Sequence, residues 1–290
     1  MINICLVFLK VYNKCIGVNR MKDVKLVICD IDNTLVQKHQ PLTERAKQAI
    51  IELRNRGVLF GLASGRGTKQ LKILDEQWGI TSDVLIGMNG AELYDGLDNS
   101  EQLLYEMKPE WIHQCFDMLA PFPSDPYVVR NGRVLVREDN GAVIQSQKYL
   151  KGQDRAIVVE NDNEFWAASG TKCGFRVKAD IMPAIEKHLE QFTFDGFIGF
   201  KTETTMYEFG HAEANKGKLL EIFCEKHNID ISKVWAFGDM TNDVTLLQAA
   251  GVGVCMINGS DDCKTVADII TEKPVWEDGW ADFIENHILK

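Results

Sequence analysis

Positive charge is scarce in this sequence: 32 lysines and arginines stand against 42 aspartates and glutamates, a net charge of −10. A surface that neutralises nucleic-acid phosphates needs a basic stripe, so the balance argues against a nucleic-acid partner. Any anionic substrate must then be attracted locally, by a metal ion or a few well-placed cations. The eight cysteines, at positions 5, 15, 29, 115, 173, 224, 255 and 263, include no C-x-x-C pair and no regular spacing. That argues against a zinc site or a disulfide framework and fits reduced thiols in a cytoplasmic protein. Long hydrophobic runs are also missing. The apolar stretch at residues 2–9 is cut short by Lys10 and has no small-residue cleavage site after it, so neither a membrane span nor a signal peptide is expected. Residues 1–20 read as an extension outside the fold, with an extra edge strand as the alternative, because Met21 opens MKDVKLVICDID just ahead of a first strand. No internal repeat or low-complexity segment interrupts the chain.

What is present is a 290-residue chain of ordinary globular composition, long enough for two cores. Residues 25–29 (KLVIC) form a short continuous apolar run, as in a strand buried on both faces of a parallel sheet. Thr43 can cap a helix reaching Arg56, whose Ala46, Ala49, Ile50 and Leu53 share one face before Gly57. A strand at 58–63, a helix at 68–78 and a strand at 84–86 continue the alternation that marks a doubly wound α/β sheet. From about 90 to 209 the rhythm changes to hairpin-like strands, for example around Asn131-Gly132, with helices near 110–119 and 181–191. This stretch holds 16 of the 26 aromatic residues and is expected to be an inserted α+β domain with its own core. After about 210 the α/β rhythm returns: a helix at 216–227, a strand at 234–237, a helix at 241–250, a strand at 252–256, then a last helix–strand pair. The expected division is therefore a core of 21–89 plus 210–290, and an insert of 90–209.

Chemistry-bearing residues fall where the predicted parallel strands end, which is where open α/β sheets place their ligands. Asp30-Ile31-Asp32-Asn33-Thr34 follows the first strand. Two carboxylates so close are held by a divalent cation, or else form a solvated acidic turn with Thr34 as a cap; taken alone, the pattern leaves both open. Gly238-Asp239-Met240-Thr241-Asn242-Asp243 repeats the arrangement after the strand at 234–237, so two acidic loops about 200 residues apart suit opposite sides of one metal site. Ser64-Gly65 ends the strand at 58–63 and offers a hydroxyl and backbone N–H groups to an anion. Lys216 opens a helix, where a cation opposes the helix dipole unless it faces a bound anion.

In this order, the four motifs resemble those of the haloacid dehalogenase superfamily of phosphohydrolases. The finer resemblance is to its Cof-type branch, with the larger class IIB (C2B) cap inserted between the second and third motifs. Leu62-Ala63-Ser64-Gly65-Arg66, Asn89-Gly90-Ala91, Asn215-Lys216-Gly217, the stretch 238–251, Val266-Ala267-Asp268 and Glu277-Asp278-Gly279 carry it. It runs from about Lys22 to the C-terminus and fades through the cap. Asn33 stands where a glycine is usual, and Ser64 where threonine is more common; neither change removes a functional group. The resemblance implies an α/β Rossmann-like core, with Asp30 as a nucleophile that forms an aspartyl-phosphate and Asp32 as general acid and then base. It implies Mg²⁺ held by Asp30, the Asp32 backbone carbonyl and Asp239, with Asp243 in support. It also implies phosphoryl binding by Ser64, the Gly65 and Ile31 backbones, Lys216 and Asn242. The substrate class would be small phosphate esters, with sugar phosphates the default. A phosphomutase and a non-catalytic phosphate-binding module are the alternatives, and both a monomer and a homodimer stay open. Arg66, Arg130, Arg133, Arg137, Lys172 and Arg176 are further cations that could meet a leaving group, or serve as surface charges. His39 reads as a solvated loop histidine, and Cys29, by strand alternation, as core.

Overall fold

The computed structural model describes residues 23–38, 40–138, 141, 143 and 156–290. The expected extension at 1–20 and His39 lie outside the described residues. In chain order the first elements are β1 (Leu26–Cys29), α1 (Glu44–Asn55), β2 (Leu59–Ala63), α2 (Thr68–Trp78) and β3 (Val84–Gly87). The hairpin strands β4 (Glu92–Asp95) and β5 (Ser100–Leu103) follow. Next come α3 (Pro109–Leu119), β6 (Asp125–Arg130), β7 (Arg133–Val136), β8 (Ile157–Val158), β9 (Lys172–Arg176), α4 (Met182–Leu189), β10 (Phe197–Glu203) and β11 (Met206–His211). The chain closes with α5 (Lys216–Lys226), β12 (Val234–Gly238), α6 (Val244–Ala249), β13 (Val252–Cys255), α7 (Asp261–Val266), β14 (Ile269–Ile270) and α8 (Gly279–His287).

Two compact units result, one built from the chain up to Glu101 together with Asn215–Lys290, the other from Gln102–Ala214. The first is a doubly wound α/β sheet in the order β14-β13-β12-β1-β2-β3-β4-β5. Its strands from β14 through β3 pair in parallel, and β4 turns back antiparallel on β3. The short strands are apolar throughout and buried on both faces, which is why they alternate with amphipathic helices. On one face Val27, Cys29, Phe60, Leu62, Trp235, Phe237 and Val254 meet α1 and α8 in a single core cluster. Cys29 lies in that cluster, pointing away from the end of its strand as alternation demands.

The second unit is a six-stranded sheet, β10-β11-β9-β6-β7-β8, carrying α3 and α4 on an aromatic core of Phe116, Phe165, Phe175, Phe197 and Phe209. Asn131 (φ 53°) and Gly132 (φ 70°) take the left-handed conformations that a two-residue hairpin between β6 and β7 requires. Arg130 donates to the carbonyls of Glu164, Phe165, Ala168 and Ser169, so it ties a neighbouring turn to the sheet. Arg137, Lys172 and Arg176 pair with Asp162, Glu208 and Glu203. Arg133 is exposed.

Three local expectations change. The β4–β5 hairpin, read as the start of the insert, extends the large sheet; Glu92 anchors it by accepting from the Thr68 N–H and hydroxyl. The segment at 241–250 is a 3₁₀ turn (Thr241–Asp243) and then α6, because the Asp243 carboxylate caps the N–H groups of Asp239 and Met240. Beyond the last helix–strand pair lies α8, whose Trp280, Phe283 and Ile284 face the core.

Candidate active site

β1 sits between β2 and β12, both parallel to it, so the chain leaves it in one direction early and returns on its other side late. This is a topological switch point, and a crevice opens at the carboxyl ends of the strands. Asp30 is the first residue past β1. Its N–H still bonds the Phe237 carbonyl at 2.9 Å, so the backbone stays in the sheet while the side chain enters the crevice, 7% exposed. The loop then tightens: the Ile31 carbonyl accepts N–H groups from Thr34, Leu35 and Val36. Asn33 has φ 64°, a conformation that glycine adopts freely and asparagine tolerates better than most residues. The turn brings the Thr34 hydroxyl to Asp239 Oδ1 at 2.9 Å, joining the two acidic loops.

Lys216 is fully buried at the start of α5. Its Nζ lies 2.6 Å from Asp30 Oδ1 and 2.6 Å from Asp243 Oδ1. Two devices hold it there. Asn215 caps α5 by accepting from the Lys218 N–H, and Gly90, at φ 103°, lets the loop after β3 press on Asn215 where any Cβ would collide with its backbone. Asp239 carries Ser260 on its carbonyl, through both the N–H and the hydroxyl. Asn258 spans the carbonyl of Asn33 and the N–H of Val275.

The charges do not balance. One carboxylate oxygen from each of Asp30, Asp239 and Asp243 lies within 4.8 Å of the other two, all three residues are buried, and the Lys216 ammonium contacts two of them. Burial pushes the Asp30 carboxyl well above the usual carboxylate range, with Lys216 pulling it back and Asp243 adding to the rise. Asp239 is pushed up to about 7, by burial first and by Asp243 next, while the Thr34 hydroxyl opposes the shift. Burial acts to deprotonate Lys216, but Asp243 and Asp30 more than offset it, so its pKa is raised and it stays charged. Three hard oxygen donors with surplus negative charge, in a region too dry to disperse it, fit a small divalent cation. Asp32 is not part of this group; its carboxylate pairs with Arg66 Nη2 at 2.8 and 2.9 Å.

At the end of β2, Ser64 is buried and its Oγ accepts the Arg66 N–H at 3.3 Å. Gly65 lies beside the Asn89 side chain, which in turn accepts from Asn242 Nδ2 at 3.2 Å. Ile31 is buried, so only its backbone can serve a ligand. The structure thus brings Asp30, Lys216, Asp239 and Asp243 into direct contact or close approach, with Asp32 held by Arg66 and Asn242 linked through Asn89 to the Ser64 loop.

The sequence profile of the haloacid dehalogenase-like hydrolases matches residues 27–284. The chain belongs to this family. A 5-amino-6-(5-phospho-D-ribitylamino)uracil phosphatase of Bacillus subtilis is 27% identical to this hydrolase over 271 residues, 92% of this chain and 97% of the relative. Among solved structures, a Thermotoga maritima protein superposes with a TM-score of 0.79 at 22% identity, over 91% of this chain and 97% of its own. A protein described as a subclass IIB sugar phosphatase of the superfamily gives 0.72 at 18% identity, over 90% and 98%. The family and its phosphatase relatives make this chain a phosphoric monoester hydrolase of the Cof-type branch. Among the described residues no helix is long and apolar enough to cross a membrane.

Four contributors escaped the reading of the sequence. Thr34 was legible as a possible cap and as the last residue of the first motif but not as a partner of Asp239, Asn89 only as part of a resembling segment, and Asn258 and Ser260 gave no signal beyond following a predicted strand.

Proposed function

We propose that this hydrolase is a Mg²⁺-dependent phosphatase of small phosphorylated metabolites, sugar phosphates in particular, working through an aspartyl-phosphate on Asp30. The observation that carries the reading is Asp30 at the switch point, buried and 2.6 Å from a charged lysine that also holds Asp243. A carboxylate fixed there by one oxygen keeps the other free to attack phosphorus. Asp30, Asp239 and the Asp32 backbone carbonyl would hold Mg²⁺, with Asp243 in support, and the ion would neutralise charge on the phosphoryl oxygens.

The chain's own residues do the rest. Lys216 has three N–H groups and spends two on carboxylates, which leaves one for a phosphoryl oxygen. The Ser64 hydroxyl, the Gly65 and Ile31 N–H groups and Asn242 complete the cradle, preorganised donors of the kind that dominate phosphoryl-transfer catalysis. As Asp30 bonds to phosphorus, the bond to the leaving alcohol breaks and Asp32 gives that oxygen a proton. Asp32 then takes a proton from the water that attacks phosphorus, which releases phosphate and restores Asp30. The preference for sugar phosphates is supported by a curated relative named for a phospho-ribityl substrate and by a structural neighbour described as a sugar phosphatase.

The test is hydrolysis of p-nitrophenyl phosphate with MgCl₂, followed by a screen of phosphorylated sugars. The wild-type protein should turn over, chelation with EDTA should stop it, and Asp30→Asn should be inactive. Undiminished turnover by Asp30→Asn would overturn the assignment.

A further inference from the structure

We propose that Arg66 is a positioning residue that sets the Asp32 carboxylate for proton transfer, a role that rests on the phosphatase reading of Asp30 and Asp32. Guanidinium Nη2 lies 2.9 Å from Asp32 Oδ1 and 2.8 Å from Oδ2, so one nitrogen spans both oxygens. Asp32 needs such a holder. It lies outside the buried acidic group that Lys216 serves, and its side chain is 30% exposed. A carboxylate this open has staggered alternatives of similar energy, and packing alone does not choose among them.

Proton transfer does require a choice. The same carboxyl must reach first the leaving oxygen and then the attacking water at hydrogen-bond distance. An error of about 1 Å in such a group lowers rates by roughly a hundredfold. Bridging by a single nitrogen leaves further lone pairs on each oxygen for these partners.

Arg66 is itself registered to the phosphate cradle. Its N–H donates to Ser64 Oγ at 3.3 Å, and its carbonyl accepts the N–H of Met88 at 2.9 Å. Met88 holds a left-handed φ of 49°, so the loop after β3 is folded specifically around this contact. Ser64 and the anchor of Asp32 therefore move as one loop, and the group that would grip phosphate is indexed to the group that would move the proton. The ion pair is also about a third exposed, so it can loosen within a catalytic cycle.

The test is a double-mutant cycle on p-nitrophenyl phosphate with Mg²⁺, using Arg66→Ala, Asp32→Asn and the pair together, with stopped-flow detection of p-nitrophenol. Nitrophenolate leaves without a proton, so a misplaced Asp32 slows the later hydrolysis of the phosphoenzyme. Arg66→Ala should lose about 10- to 100-fold in kcat with KM falling alongside it, so that kcat/KM changes far less, and should show a p-nitrophenol burst. In the Asp32→Asn background the same change should have no further effect on kcat. Arg66→Lys, which restores one cation, should recover part of kcat and serves alone if the alanine variant does not fold. A raised KM with kcat intact, independent losses in the double variant, or an unchanged kcat in Arg66→Ala would each overturn the proposal. Failure of the phosphatase reading itself is separate: it shows as no turnover by wild type, or full turnover by Asp30→Asn.

Discussion

Lys216 is the residue on which the buried electrostatics turn. Among the described residues it is the cation in contact with Asp30 and Asp243, and both partners are more than nine-tenths buried. Removing one member of such a group leaves uncompensated charge in a dry region, which typically costs about 3–5 kcal/mol. Lys216→Met should lower the urea-denaturation stability by about that amount without metal, and added MgCl₂ should restore part of it, since a ligand of the folded state stabilises by mass action. A loss below about 1 kcal/mol would contradict this. Thr34→Val keeps the shape and removes the O–H donor to Asp239. If Asp239 ligates Mg²⁺ as proposed, losing a hydrogen bond to its carboxylate should lower Mg²⁺ affinity, measured by titration calorimetry, about tenfold or more. At this scale the sequence was legible where a residue violated an expectation of its setting. Paired carboxylates after an apolar strand and a lysine at the wrong end of a helix dipole are misfits that chemistry must explain. Thr34, Asn258 and Ser260 violate nothing: a polar residue in a loop is ordinary until its partner is known.

Elements were legible in kind and less so in allegiance. Strand β1 and helices α1 and α2 follow from apolar runs and one-faced spacing, and their caps at Thr43 and Gly79 behave as local rules require. The β4–β5 hairpin was recognisable as strands, but pairing is a long-range choice and alternation does not say which sheet accepts it. The terminal helix α8 was missed because nine residues give only about two and a half turns of periodicity, and its stability comes from Trp280 and Phe283 packing on Phe237 and from Arg45 on α1 pairing with Asp282 and Glu285. One element junction carries a pH signature. Asp75, near the end of α2, accepts from the N–H and hydroxyl of Ser82 ahead of β3, and burial pushes its carboxyl up to about 6 despite both bonds. Its folded value lies above the ordinary unfolded value near 4, so its stabilising contribution is complete below about pH 4 and is lost as pH rises through about 6. Asparagine can accept the same N–H and donate to the same hydroxyl without ionising. Asp75→Asn should therefore gain about 1–3 kcal/mol over wild type at pH 7.5 and little at pH 4, read from denaturation curves across that range.

At the scale of the whole molecule, the two units have separate cores, one around Phe60, Trp235 and Trp280 and the other around Phe116, Phe175 and Phe209. A cavity in one should not be felt as packing in the other. Phe175→Ala should cost the Gln102–Ala214 unit about 3–5 kcal/mol, and calorimetry should show part of the unfolding endotherm moving down while the remainder keeps its position. A single transition shifted as a block would instead mean that the units melt together. The position of β1 has one further consequence, and it concerns biosynthesis. The strand that leads into Asp30 is made about 200 residues before its partner on one side, β12, whose register pairs Leu26 with Val234. Domains tend to fold from the N-terminus as they emerge, at about 5–20 residues per second, and pairings this distant in sequence are slow to form. For at least about ten seconds of elongation, then, one edge of β1 must wait unpaired beside a completed β1–β2 contact, exposed to chaperones and to neighbouring nascent chains. The acidic loop at its tip stays without Lys216 and Asp239 for the same interval, so the site is complete only after the segment that carries them has been made and has folded against β1.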